Sequence, residues 1–483
     1  MGWNVTIMDL SDTYYSSCST FPARFEIISA TVDNDFTALD DLYFKWEDEL
    51  KNIGSGPAGE RFAGLLSGFF YDNLRKLPLT DIARFMEEGG YLHDRFQERI
   101  ILPSLKNSVP DVIGITIISH HQILPALELL IGLRRTFPDT LVVLGGNVVT
   151  RLKYSPAFAV LQQFADHLVL FQGESSFRQI LQLVELYGVE KARHLLPSTS
   201  GDELIPPEIW PVPDFTGINW NQYAGVPTLP FVSTRGCYWG QCHFCSIPAG
   251  WAKNGYGGSA TGEQTANQIA QMVGATGIPR IKFVDEAFPP AKVKTLAQNL
   301  VASSIPVEWE AYARIEPAWE DPSLLETAFR SGLRKLYFGL EQAPGPRRSL
   351  LNKNDKGDIR RLLDTCHKIG IRVHLFCMVG FPGTTREDAL DTTRFLIEQQ
   401  DRIDTADMVG FNLDRLSTIP GVRPIPSSGD DWRLTFPFEA TQPGVMNESE
   451  TMKLEYTCQE MLWDAVPRLL HPLYRLVGQW SNL

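Results

Sequence analysis

Short runs of β-branched and aromatic residues recur along the C-terminal half of the chain: "PFVSTRG", "RIKFVDE", "VEWEAYAR", "KLYFGLE", "RVHLFCMVG" and "DMVGFNLDR". Longer segments with apolar residues three and four apart separate most of them: "TGEQTANQIAQMV", "AKVKTLAQNLVA", "PSLLETAFRSG", "DIRRLLDTCHKIG" and "TTREDALDTTRFLIEQQ". The first pattern predicts strands and the second helices. Thr384 with Glu387 forms a capping box at the start of the last helix, and Gly370 suits the C-terminal stop of the one before it. Strict βα alternation over about 190 residues predicts a parallel (β/α)6 barrel, shorter than the eight-unit form, with its site at the carboxyl ends of the strands.

The N-terminal part repeats the alternation with a different texture. "NVTIMDL", "DVIGITIIS", "LVVLGGNVV" and "HLVLFQGES" read as strands. Between them, "ERFAGLLSGFFYDNL" carries Phe62, Leu65, Leu66, Phe69, Phe70 and Leu74 at helical spacing, and "ALELLIGLRRTFPDT" lines Leu127, Leu130 and Leu133 on one face. Glycines just past the strand ends predict an open parallel sheet with a ligand site beyond its carboxyl edge. A stretch rich in Pro, Asp and Trp, "IPPEIWPVPDF", has no sustained period and reads as a linker. The resulting division is 1–200 for an N-terminal α/β domain, 201–229 for the linker, 230–425 for the barrel and 426–483 for a C-terminal segment. In that segment "ETMKLEYTCQEMLWDAV" predicts an amphipathic helix with Met452, Tyr456 and Met461 inward, capping the barrel mouth.

Composition narrows the function classes. The 483-residue chain is 43% hydrophobic and 21% charged, as soluble proteins are, and its net charge of −13 without a Lys/Arg tract argues against nucleic-acid binding. The longest apolar stretch, Asp111 to Leu133, is interrupted by His120, His121, Gln122, Pro125 and Glu128, so no membrane span is expected. The opening "MGWNVTIMDLSD" lacks the basic and apolar regions of a signal peptide. Seven scattered cysteines point to a reducing compartment, with the cytoplasm as the expected location.

Three of those cysteines fall within nine residues. "STRGCYWGQCHFCSIP" places Cys237, Cys242 and Cys245 in a Cys-x4-Cys-x2-Cys spacing directly after the first barrel strand. Three converging thiolates suit a soft metal, whereas a structural zinc site takes four ligands. His243 lies between two of the cysteines with its side chain expected to point away, and Cys18, Cys366, Cys377 and Cys458 are remote in sequence. Cys366 and Cys377 sit on apolar faces as core thiols. A 4Fe-4S cluster held by three thiolates leaves one iron open to an exogenous ligand, which points to chemistry on a bound small molecule; a zinc knuckle or a chance cluster is the alternative.

With this loop the chain resembles the radical S-adenosylmethionine (SAM) enzymes, although their commoner spacing is one residue shorter. The resemblance implies that Cys237, Cys242 and Cys245 hold a 4Fe-4S cluster whose open iron chelates SAM. Phe244 matches the aromatic position near the adenine. "FVDEAF" offers Asp285 and Glu286 to the methionyl amine, "YARIE" offers Arg314 to the carboxylate, and "YFGLEQA" ends in Glu341, with Gln342 where the family has serine. "GFPGTT" resembles the turn whose backbone approaches the adenosine, here Gly380, Pro382 and Gly383.

The N-terminal part is similar to the cobalamin-binding domain that precedes many such barrels. That likeness implies cobalamin contacts from Ser119, Gly145, Gly146, Asn147, Gly173 and Glu174. The histidine-bearing "DxHxxG" motif is absent, and the chain starts almost at "GWNVTIMDL", which predicts a domain short of its first βα unit. The fold class expected is therefore α/β: a Rossmann-like, flavodoxin-like cobalamin-binding domain, a partial (β/α)6 radical SAM barrel of the TIM type, and a short helical C-terminal segment.

The arrangement looks closest to radical SAM maturases of ribosomally synthesised peptides. It implies an enzyme that uses one SAM for a 5′-deoxyadenosyl radical and a second as the source of a methyl group delivered through cobalamin to an unactivated carbon. The implied partners are a peptide or small-molecule substrate, possibly a precursor peptide, and an electron donor such as flavodoxin or ferredoxin. Two alternatives stand beside this reading. One is a non-methylating radical reaction (epimerisation, rearrangement or crosslinking) with or without cobalamin; the other is a non-catalytic metal and corrinoid binding module.

Overall fold

The computed structural model describes residues 77–89, 101–201, 204–220, 226–251, 255–417, 419–427 and 431–470. The expected strand "NVTIMDL", the helix "ERFAGLLSGFFYDNL", Cys18 and the expectation of a missing first βα unit lie outside them.

Four parallel strands build the N-terminal sheet in sequential order: β1 (Val112–Thr116), β2 (Leu141–Gly145), β3 (His167–Val169) and β4 (Thr199–Ser200). The central strand β2 is apolar on both faces. Val142 and Leu144 pack with helices Ile123–Thr136 and Pro156–Phe164, and Leu141 and Val143 pack with helix Glu174–Tyr187. A parallel sheet covered on both sides requires this continuous apolar run.

The second sheet has six parallel strands in the order β12-β11-β10-β9-β8-β5. They are β5 (Leu229–Phe231), β8 (Arg280–Phe283), β9 (Glu308–Ala313), β10 (Leu333–Glu341), β11 (Arg372–Val379) and β12 (Thr405–Gly410), with a helix after each of β8 to β11. One face is apolar: Trp309, Ala311, Phe338, Leu375 and Met408 pack with the flanking helices in one continuous core. The opposite face is concave, because side chains meet across intervening strands. Tyr312 of β9 stacks on Phe376 of β11 (6.0 Å between centroids, 20° between planes), and Lys282 of β8 sits 4.1 Å over the Tyr337 ring of β10.

Four sequence expectations change. The cysteine segment does not leave directly from the first sheet strand. Asp285 accepts the N–H groups of Ser233 and Thr234 at 2.6 Å each, which diverts the chain from the ladder into a short antiparallel ribbon, β6 (Thr234–Gly236) with β7 (Tyr256–Ser259). The capping box forms one residue later, between Thr385 and Asp388. The linker is not free, since Trp210 and Ile205 are buried against Ala260.

The fourth change concerns the C-terminal helix Glu448–Ala465, which turns Thr451, Leu454, Cys458 and Leu462 inward and leaves Met452 and Tyr456 exposed. It packs beside β12 and the helix Arg386–Glu398. A Cβ on Gly380 would strike Thr451, which also sits tightly against Gly410, so the helix packs close to the sheet at its small Thr451. Just upstream of it, Trp432 and Leu434 join the core of the N-terminal domain.

Candidate active site

The cysteine loop is pinned from several sides. Trp239 Nε1 donates to the Asn352 carbonyl at 2.8 Å, Asn352 Nδ2 to the Gln241 carbonyl at 2.8 Å, and the His243 amide to the Leu351 carbonyl at 3.1 Å. His243 is exposed, with Nδ1 3.0 Å from the Leu350 carbonyl, so it points away from the thiols as the sequence implied. These bonds join segments more than 100 residues apart. The loop's shape therefore depends on the turn after β10.

All three thiols are free and partly buried. Burial pushes Cys242 up to about 11 and Cys245 up to about 12, and the neighbouring thiols add to both. Lys353 and Arg314 act on Cys242 in the opposite sense. A donor set that resists ionisation alone fits a cationic centre that stabilises the thiolates. Among the described residues, no three His, Cys, Asp or Glu side chains stand close enough to hold one metal ion. A cubane takes each thiolate at a different iron, so its three ligands stand farther apart than those of one ion.

The strand-end residues gather around this loop. Arg314, at the end of β9, donates through Nε to Glu316 at 2.9 Å and through Nη2 to the Lys353 carbonyl at 2.5 Å, with Asp355 3.6 Å away. Glu341 ends β10 with φ +60°, a left-handed conformation that turns its carboxylate onto Lys353 Nζ at 2.7 Å. Asp355 is almost fully buried among Arg314, Arg348 (3.0 Å) and Lys353 (3.8 Å). Sequence reading singled out Arg314 and Glu341 but not Lys353 and Asp355, which follow the strand in an irregular stretch with no local period.

Phe244 and the turn at Gly380, Pro382 and Gly383 do come together. Phe244 lies edge-on to Phe381 (6.4 Å, 78°), and both join Met378 and Phe411 in one apolar cluster. Gly380 and Gly383 have φ of +76° and +89°.

The acidic pair separates. Asp285 is fully buried, accepting from Ser233 and Thr234, and Lys292 Nζ closes the network by donating to Ser233 Oγ (2.5 Å) and Thr234 Oγ1 (3.0 Å). The structure thus makes Asp285 a wall residue, not a contact at the mouth. Glu286 is only partly buried. Burial pushes it up to about 7, the Trp251 indole N–H donates to Oε1, and its buried Oε2 has no hydrogen-bond partner.

At the carboxyl edge of the N-terminal sheet, several residues expected to meet cobalamin also engage the protein. Glu174 pairs with Arg235, two residues before Cys237, and Gln172 Oε1 accepts from the same guanidinium at 2.9 Å. Arg235 also lies 4.4 Å over the Trp210 ring. On the loop's other flank, Arg151 donates to Ser246 Oγ at 2.8 Å and pairs with Asp414. Asn147 packs on Gly250, and a Cβ on Gly146 (φ +107°) would collide with the Ile117 backbone. Gly145 ends β2, Gly173 precedes the helix that Glu174 begins, and Ser119 caps the turn at His120–Gln122 by accepting from the His121 amide. Arg151 and Arg235 were not singled out from the sequence, because their partners lie between 61 and 263 residues away.

Residues 231–396 match the family model described as the Radical SAM superfamily. That domain implies a 4Fe-4S cluster and S-adenosylmethionine. No curated protein matches the sequence. Among solved structures, the chain is similar to the radical S-adenosylmethionine methyltransferase TsrM from Kitasatospora setae, with cobalamin and a [4Fe-4S] cluster bound. The TM-score is 0.54 at 16% identity, covering 77% of this chain and 82% of that one. A second structure of the same methyltransferase, with tryptophan substrate and a SAM analogue, aligns at TM-score 0.54 and 15% identity over 75% and 81% of the two chains. The cobalamin-dependent S-adenosylmethionine radical enzyme OxsB aligns at TM-score 0.52 and 14% identity, over 79% of this chain and 64%, just under two thirds, of its own. Among the described residues no helix is long and apolar enough to cross a membrane.

Proposed function

We propose that the protein is a radical SAM enzyme that cleaves SAM reductively at a cluster on Cys237, Cys242 and Cys245. With cobalamin, it methylates an unactivated carbon of a peptide or natural-product substrate. The observation that carries the reading is convergence: Arg235 and Arg151 tie the carboxyl edge of the N-terminal sheet to both flanks of the cysteine loop, at the carboxyl ends of the six-stranded sheet. When bound, the cluster would supply the electron that yields a 5′-deoxyadenosyl radical, and cobalamin would supply the methyl group.

The chain's own residues would then orient and enclose. Glu286, with one carboxylate oxygen unpaired, would receive the methionyl ammonium, and Arg314 would balance the carboxylate from within its ion network. Phe244 and the turn from Gly380 to Gly383 would flank the adenosine. For cobalamin, the seam between the sheets offers three buried donors without partners: Gln172 Nε2, Arg151 Nε and Arg235 Nε. Such donors suit the carboxamide oxygens that fringe a corrin.

A second reading, a radical reaction without methyl transfer, is favoured by one observation: the Glu174 carboxylate is already held by Arg235.

Anaerobic reconstitution with iron, sulfide and hydroxocobalamin, followed by desalting, tests both. About four irons and one corrinoid per chain, with 5′-deoxyadenosine after reduction, support methyl transfer. Iron and deoxyadenosine without corrinoid select the second reading, and absence of deoxyadenosine overturns both. Replacing all three cysteines by alanine abolishes iron binding and deoxyadenosine formation.

A further inference from the structure

Five described residues other than glycine adopt a positive φ, and three of them fall in the short stretch after β10: Glu341 (+60°), Asn352 (+50°) and Asn354 (+52°). Asparagine enters this left-handed region at modest cost, whereas glutamate does so only where its surroundings hold it there. All three bear on one side chain, Lys353.

The two asparagines turn the chain on either side of Lys353, and its side chain reaches back from the loop onto β10. There Nζ donates to the Gly339 carbonyl and to Glu341 Oε1, the latter at 2.7 Å. A Cβ on Gly339 would collide with both Nζ and Oε1, so the glycine leaves the notch that the pair occupies. The same turn grips the cysteine loop. The Asn352 carbonyl accepts from Trp239, and its side-chain amide donates to the carbonyl of Gln241, the residue before Cys242. Burial apart, Lys353 is the foremost charge acting on Cys242, ahead of Arg314, while Glu341 opposes it there and acts on Cys245 as well.

Stability alone does not account for this arrangement. Lys353 is 7% exposed, and a buried ion pair contributes little compared with apolar packing in the same space. Backbone strain held around a buried charge points to a use other than stability. Arg314, the other cation beside the loop, is committed to Glu316 at 2.9 Å and faces Asp355 at 3.6 Å.

We propose that the Lys353–Glu341 pair sets the reduction potential of the iron–sulfur cluster on Cys237, Cys242 and Cys245: the ammonium stabilises the reduced cluster and the carboxylate opposes it. On reduction the cluster takes one electron from an external low-potential donor and gains one unit of negative charge. A fixed positive charge beside the thiolates, in surroundings of low dielectric, favours that added charge, and a fixed negative one disfavours it. The inference rests on the radical SAM reading for the presence of the cluster.

The test is a redox titration of the full reconstituted chain without SAM, following the reduced cluster by electron paramagnetic resonance, with iron counted on each protein. Lys353→Met moves the midpoint negative: the ratio of reduced to oxidised cluster falls about tenfold at a fixed potential, or ~59 mV for one electron. Glu341→Gln moves it positive, and the double variant returns close to the parent. Both single variants lose the same ion pair, so a pair that merely braces the loop predicts shifts of one sign or none. Parent-like iron content shows that the loop still holds the cluster; where one variant loses iron, the sign of the other decides. Shifts of the same sign, or unmoved midpoints, overturn the proposal and leave the radical SAM reading intact. A parent chain that takes up no cluster overturns that reading and the proposal with it.

Discussion

The two parallel sheets differ in what they do with their faces. The N-terminal sheet is apolar on both sides, with helices against each. The six-stranded sheet is apolar toward its helices and polar on its concave side. A sheet buried on both faces is a platform; one that keeps a charged, hydrogen-bonded inner face is shaped around something other than its own core. Fold class alone does not separate the two, since both are βα alternations.

Substitutions on opposite faces of the same sheet probe this contrast most strongly. Phe338→Ala, in the fully buried apolar face, lowers unfolding free energy by about 3–5 kcal/mol, whereas Phe376→Ala on the concave face costs about 1 kcal/mol. Equal losses in urea titrations would erase the distinction.

A smaller effect reads the concave face through its charge. Burial, opposed by Glu310, lowers Lys335 to about 8, below the ordinary lysine value it keeps when unfolded. Its burial is unfavourable while it is charged, so the parent's stability rises relative to Lys335→Met as pH goes from about 8 toward 10, by about 2 kcal/mol. Matched urea midpoints of the two proteins across that window give the difference, and parallel curves would show that Lys335 is not desolvated.

The smallest effect lies at the seam between the sheets. Arg235→Ala removes the pairing with Glu174 and Gln172 and costs about 1–2 kcal/mol, because the Glu174 side chain is 32% exposed. Limited proteolysis should cut the cysteine loop faster in this variant, and unchanged rates would mean that the N-terminal sheet does not brace it.

Much of this was legible in the sequence, and what was not has physical reasons. The strands from Arg280 to Gly410 and their helices announce themselves by period, and Cys237, Cys242 and Cys245 by spacing. Side-chain pairing has no period. Nothing near Arg314 signals that Lys353 and Asp355 will join it, and nothing near Glu174 signals Arg235. Asp285 and Glu286 look alike as neighbours, yet the bend at Ser233 buries one among its partners while the other keeps a carboxylate oxygen without a hydrogen-bond partner. On the C-terminal helix apolar residues lie on two faces, so period alone does not choose the one that packs. Gly380 and Gly410 on the sheet decide which face fits, and they favour the small Thr451 over the larger Met452.

The return of the chain at Asp431 and Trp432 bears on how the protein is made. The Asp431 carboxylate accepts the Leu79 amide 352 positions earlier, and Trp432 reaches the Leu77 carbonyl across 355 positions while filling the N-terminal core. At a synthesis rate of about 5–20 residues per second, the ribosome delivers that tryptophan tens of seconds after the core it completes has emerged. The core of the N-terminal sheet is therefore completed only after the whole six-stranded sheet has been translated.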